Sequence, residues 1–103
     1  ILFLLKLSMY LGFYPDTDTE QKPYFNLMEG VFQDFNTGKY SERSQRTAKL
    51  KEFFGIDFDK SYEISLTKME RSDLLSLLLK YYQLHLHGFK NPKSLVVLNQ
   101  IFE

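Results

Sequence analysis

Apolar residues recur at helical spacing through the first twelve positions, with Phe3, Leu7 and Tyr10 on one line and Leu4, Leu7 and Leu11 on the next. Gly12 is a natural helix stop, and Pro15 prevents the helix from resuming. Residues 16–23 are polar and end on Pro23, which reads as loop. Two aromatic-rich runs follow, Tyr24-Phe25-Asn26-Leu27 and Val31-Phe32-Gln33-Asp34-Phe35, on either side of Glu29-Gly30. That pattern predicts a short β-hairpin in which Gly30 supplies a positive φ. Ser41 is placed as the N-cap of a short helix reaching Phe54, with Leu50, Phe53 and Phe54 turned inward and Gly55 ending it. The stretch from Ile56 to Leu66 is ambiguous, and its first residues alternate in an extended-chain manner.

The strongest periodic segment runs from about Lys68 to Phe89. Between Leu74 and Leu79 only Ser76 is polar, so this helix is expected to be buried on more than one side and central to the domain. Asn91-Pro92 then opens a last helix with a stripe of Leu95, Leu98 and Phe102. The expected fold is mainly α, a small helical bundle around one long buried helix with a minor β-hairpin, occupying residues 1–103 as one domain.

Composition narrows the chemistry. The chain has 103 residues, 44% hydrophobic and 25% charged, which is one ordinary small domain. Aromatics reach 17%, and there is no cysteine. A disulfide scaffold, an iron–sulfur cluster, a thiol nucleophile and a cysteine-based zinc site are thereby excluded. The opening run Ile1-Leu2-Phe3-Leu4-Leu5, which begins without Met, reads as the start of an excised domain. It breaks at Lys6, short of the roughly 20 apolar residues a membrane helix needs, and it has no basic leader or small-residue cleavage site. The expected location is cytoplasmic, with no membrane partner.

Thirteen basic and thirteen acidic residues cancel, but they are segregated. Residues 1–38 carry net −3, and residues 39–54 carry net +3. Arg43, Arg46 and Lys49 recur every third residue with Lys39 upstream, so a helix would gather the three on one face. Such a stripe either contacts phosphates or carboxylates or is simply solvated. Lys90, Lys93 and Ser94 lie around the start of the last helix, where free amides could receive an anion. His85 and His87 are two apart and point to different sides of a helix, which suits packing rather than metal binding. Asp57, Asp59 and Glu63 lack calcium-loop spacing and read as surface carboxylates. Tyr81 and Tyr82 read as core rather than as a base-stacking platform. No nucleophile, phosphate-cradling glycine loop or cofactor motif is present, so neither an enzyme nor a cofactor is expected.

Ordered along the chain are Leu4-Leu5-Lys6-Leu7, then Tyr10-Leu11-Gly12-Phe13-Tyr14-Pro15, then Tyr24-Phe25-Asn26-Leu27 with Glu29-Gly30. Toward the end come Tyr81-Tyr82-Gln83-Leu84-His85-Leu86, Gly88-Phe89 and Lys93-Ser94-Leu95 with Val97-Leu98. In that order they resemble the C-terminal domain of RecO, the bacterial DNA recombination mediator, in its Bacteroidetes form, over Leu2 to Phe102. The resemblance implies a non-enzymatic role in DNA repair. Its partners would be single-strand-binding protein through its acidic, Phe-ended tail, RecR, and single-stranded DNA, with strand annealing and RecA loading as outcomes. It also implies an N-terminal OB-fold that this chain does not contain. Many members hold zinc through two CxxC pairs bracketing the hairpin, and those pairs are missing here. Phe13, Tyr14, Tyr24, Phe25, Phe32 and Phe35 are expected to anchor the hairpin in place of the metal. The residues alone leave a second reading open, a stand-alone helical interaction or regulatory domain with no DNA role.

Overall fold

The computed structural model describes residues 1–56 and 64–86. Helix α1 spans Leu2–Leu11 and buries Leu2, Leu4, Leu5 and Ser8. The buried Ser8 hydroxyl is satisfied by donating to the Leu5 carbonyl. Gly12 ends the helix at φ 94°. The Gly12 amide donates to the Met9 carbonyl and the Phe13 amide to that of Ser8, a Schellman ending that turns Phe13 back toward the core. A 3-10 turn at Thr17–Thr19 follows, capped by the Asp16 side chain. It is riveted to the next element, because Thr19 Oγ1 accepts from the Phe32 amide and the Asp16 amide donates to the Gly30 carbonyl.

Strands β1 (Tyr24–Asn26) and β2 (Val31–Gln33) form the expected hairpin, with Phe25 opposite Phe32. Asn26 organises its loop: the side-chain oxygen accepts from the Met28 and Glu29 amides, and the carbonyl accepts from the Gly30 amide. Gly30 has φ 71°, the left-handed value the turn requires.

Two expectations fail here. The fold is not mainly α: a third strand, β3 (Ser41–Glu42), adds to the free side of β1 and makes an antiparallel sheet of order β2-β1-β3, so the architecture mixes helix and sheet. Ser41 is therefore not a helix cap. Helix α2 spans Gln45–Lys51 and starts at Ser44, whose side chain and amide exchange reciprocal bonds with Thr47. Both serines are chemically suited to capping. The choice is made by the open edge of β1, which pairs Asn26 with Ser41 and Phe25 with Glu42 from further along the chain.

Helix α3 spans Lys68–His85 and begins in a capping box between Thr67 and Glu70. Leu74, Leu77, Leu78, Tyr81 and Tyr82 are buried, and Leu75 and Leu79 pack partly against the same core. This is the central helix that the sequence predicts. Its last turns carry polar tips that reach the backbone of other elements. The Tyr82 hydroxyl donates to the Leu4 carbonyl in α1, the Tyr81 hydroxyl to the Phe13 carbonyl, and His85 Nε2 bonds the Leu27 carbonyl in the hairpin loop at 2.8 Å. A carbonyl only accepts, so Nε2 is the donor in this bond. Burial raises both tyrosine hydroxyls, that of Tyr82 to about 12. They stay protonated donors at any ordinary pH. The expected extension of this helix to Phe89, the last helix after Pro92, His87 and the carboxylates Asp57, Asp59 and Glu63 lie outside the described residues.

Candidate partner-binding surface

Helix α2 carries Arg46 and Lys49 of the basic stripe, while Arg43 stands before its cap, so the structure divides the stripe in two. Arg46 forms a bidentate pair with Glu42 one turn back, Nε to Oε2 at 2.5 Å and Nη2 to Oε1 at 2.6 Å, and also reaches the Asp73 carbonyl on α3. Lys49 lies between Glu52 at 3.3 Å and Glu70 of α3 at 3.5 Å. These two cations face α3, and their charge is answered within the chain. Arg43 precedes α2, is exposed, and has no ion-pair partner among the described residues. Lys39 is exposed in the loop before β3, its ammonium 5.3 Å from the Tyr40 ring centroid. Lys90, Lys93 and Ser94 lie outside the described residues.

Arg43 opens onto a cleft of about 450 Å³ lined by Gln21, Pro23, Arg43, Ser44, Thr47, Ala48 and Lys51. One wall is the face of α2 on which Ser44, Thr47, Ala48 and Lys51 follow one another at one-turn spacing. The other is the segment leading into β1. Lys51 braces the two walls: its ammonium donates to the Lys22 carbonyl at 3.0 Å and lies 4.8 Å from the Phe32 ring centroid. The lining contains two cations and no carboxylate, so the cleft suits an anionic guest. The sequence reading of the stripe left out Lys51, Gln21 and Pro23. The one-turn spacing from Ser44 was the available signal for Lys51, whereas nothing local pointed to Gln21 or Pro23.

Both carboxylates that hold the stripe are acidified. Hydrogen bonding from Arg46 holds the Glu42 carboxyl below its ordinary 4.5. Glu70 is also lowered, first by the backbone amide of Thr67. A carboxyl depressed in the folded state stabilises it above the ordinary value, and that contribution fades as pH falls through the depressed value. Arg46→Ala is expected to cost about 1–2 kcal/mol near neutrality, since it removes a partly buried bidentate pair. Its deficit against the unmodified protein should shrink below pH 4 in denaturant titrations run as a function of pH. A deficit independent of pH would show that the lost stability comes from packing of the arginine stem.

A zinc site like that of many members of the resembled family does not fit this chain. It has no cysteine, and no group of three or more His, Asp or Glu among the described residues could hold a metal ion. Among the described residues, no helix is long and apolar enough to cross a membrane.

Residues 1–95 match the family described as Recombination protein O C terminal. The chain belongs to this RecO family. It is 48% identical to the DNA repair protein RecO of Christiangramia forsetii over 99% of this chain and 43% of that protein. Its identity to the RecO of Flavobacterium psychrophilum is 40%, over 99% of this chain and 42% of that protein. With the RecO of Bacteroides fragilis strain YCH46 it shares 28%, over 100% of this chain and 44% of that protein. No solved structure matches. The chain thus spans less than half the length of these relatives, which are named as DNA repair proteins.

Proposed function

We propose that this chain is the partner-docking part of a RecO-type mediator that makes and breaks no covalent bonds itself. Its cleft takes the acidic, Phe-ended tail of single-strand-binding protein. The observation that carries this reading is a cleft whose charged lining residues, Arg43 and Lys51, are both cations, on a chain whose relatives are DNA repair proteins. Arg43 and Lys51 pair with the tail carboxylates, and Pro23 and Ala48 offer an apolar wall for its aromatic end. Lys39 extends the positive rim. Arg46 and Lys49 hold α2 against α3 and act indirectly by fixing the wall. Residues 1–103 form one cytoplasmic domain of the mediator, which acts with RecR in strand annealing and RecA loading. Its DNA contact is secondary to that of an OB-fold carried elsewhere in the protein. Lys90, Lys93 and Ser94 belong to the same proposed set of contacts.

The test is calorimetric titration of the protein with an acidic peptide ending in Phe, at low and moderate salt. Binding is expected, and it should weaken with salt as exposed ion pairs are screened. Arg43→Glu should reduce affinity about tenfold, equivalent to roughly 1.4 kcal/mol, while Arg43→Lys retains most of it. No binding at either salt removes the docking proposal. Binding that is indifferent to Arg43→Glu moves the site away from this cleft.

A further inference from the structure

The two walls of the cleft beside α2 are built differently. The α2 wall is fixed by burial of Thr47 and Leu50 and by the reciprocal capping bonds between Ser44 and Thr47. The facing wall, Gln21 and Pro23, belongs to a connecting segment that is neither helix nor strand. That segment is stitched to the fold at two points. At Thr19 it is held to β2, because the Phe32 amide donates to Thr19 Oγ1 at 2.9 Å. At Lys22 it is held to α2, because Lys51 Nζ donates to the Lys22 carbonyl at 3.0 Å. The second stitch spans the cleft, and it is made by a side chain that also lines it.

Lysine chemistry leaves that stitch with unused capacity. An ammonium carries three donors, and they radiate from one nitrogen. One donor of Lys51 goes to the Lys22 carbonyl, and the Phe32 ring, 4.8 Å away at its centroid, stands beside the charge. No carboxylate among the described residues pairs with it, unlike Lys49, which Glu52 and Glu70 answer. The remaining donors are available to a guest in the cleft. A guest carboxylate takes charge-assisted bonds from them while the carbonyl of Lys22 keeps its own.

We infer that Lys51 closes the cleft on its guest: one ammonium bonds the guest's carboxylate and the Lys22 carbonyl together, so occupancy of the cleft and the seating of residues 20–23 against α2 are linked. This inference rests on the proposal that the cleft takes an acidic peptide, and it adds the residue that couples binding to the connecting segment. Such coupling is reciprocal: the seated segment tightens the guest by the factor by which the guest favours the seated segment. Binding segments are drawn from the parts of a fold that open at low cost, and a connection held at two points is of that kind. Lys51 is thus a positioning residue as well as a ligand. Arg43, which makes no bond across the cleft among the described residues, is a ligand alone.

The experiment is hydrogen–deuterium exchange of the full-length protein, read by mass spectrometry on the fragment holding Thr19–Lys22, with and without the acidic Phe-ended peptide. Affinities are measured alongside by calorimetry. At saturating peptide the unmodified protein should exchange about fivefold or more slowly in that fragment. Lys51→Met keeps an apolar stem and removes every donor. It should speed exchange there in the free protein and weaken the peptide about tenfold, and saturating the residual binding should no longer slow exchange. Lys51→Arg bonds a carboxylate and a carbonyl at once, so it should restore the protection and most of the affinity. Arg43→Glu is the reference: it should weaken the peptide and leave exchange in the free protein unchanged. A peptide that binds the unmodified protein without slowing exchange overturns the inference and leaves the docking proposal standing. Free Lys51→Met that exchanges like the unmodified protein does the same. Absence of peptide binding to the unmodified protein removes both.

Discussion

Phe25→Ala is expected to cost about 3–5 kcal/mol and to melt the sheet together with the helices. Phe25 is 1% exposed at the centre of β1, with ring centroids 4.8 Å from Phe32 and 5.6 Å from Tyr81. It rests the middle strand on α3, so truncation opens a cavity between the two layers. Phe32 continues the cluster to Phe54, and Phe54 in turn meets Tyr14. Phe13 packs on Tyr81, Tyr82 and His85. Phe35 stands apart at 76% exposure, so it is not part of the hairpin's anchor. Phe35→Ala should change stability by no more than about 0.5 kcal/mol. Urea unfolding of both variants, with and without a metal chelator, checks the set. Unfolding of the unmodified protein that is sensitive to the chelator would contradict an anchor made of aromatic packing.

Gly30→Ala should cost about 2–5 kcal/mol, from two effects that act together. The residue has φ +71°, where an L side chain costs about 1–2 kcal/mol. A Cβ there would also lie 2.7 Å from the Tyr81 hydroxyl oxygen, which is held by its bond to the Phe13 carbonyl, and overpacking of that kind costs about 1–3 kcal/mol. Gly12 separates the two effects. It has φ +94° and nothing within 4 Å of its Cβ position, so Gly12→Ala should show only the backbone cost of about 1–2 kcal/mol. Tyr81→Phe removes the obstructing oxygen, and the double variant Gly30→Ala with Tyr81→Phe should be less damaged than the two single effects added. Additive effects in thermal or urea unfolding would place the Gly30 penalty wholly in the backbone.

The elements legible in the sequence are those written in local terms. The stop at Gly12, the leucine run of α3 and the aromatic pair around Glu29-Gly30 all act within a few residues of themselves. The third strand was not legible. Ser41 and Glu42 are too few to show an alternating pattern, and their partners in β1 lie far back in the chain. The candidate site divides in the same way. That residues 39–54 are basic is plain from the sequence, but which of the cations remain available depends on Glu42 and Glu70. Glu42 is near Arg46 in sequence, yet at that spacing it would equally suit a solvated pair. Glu70 comes to Lys49 only because α2 packs on α3.

By itself, the order of residues determined that this polypeptide has two long helical segments and a hairpin turned on Gly30, that it holds no cysteine-bound metal, and that it resembles the RecO family. Those properties follow from backbone preference, side-chain chemistry and composition, which need no distant neighbour. The tertiary structure alone decided the mixed sheet-and-helix architecture, the bonds from Tyr81, Tyr82 and His85 to remote carbonyls, and the division of one basic stripe into cations already neutralised and an arginine facing an open cleft. Each depends on which groups meet across the fold, where a pairing partner, a carbonyl or a carboxylate from another element sets the state of a residue that its own neighbours in sequence leave undetermined.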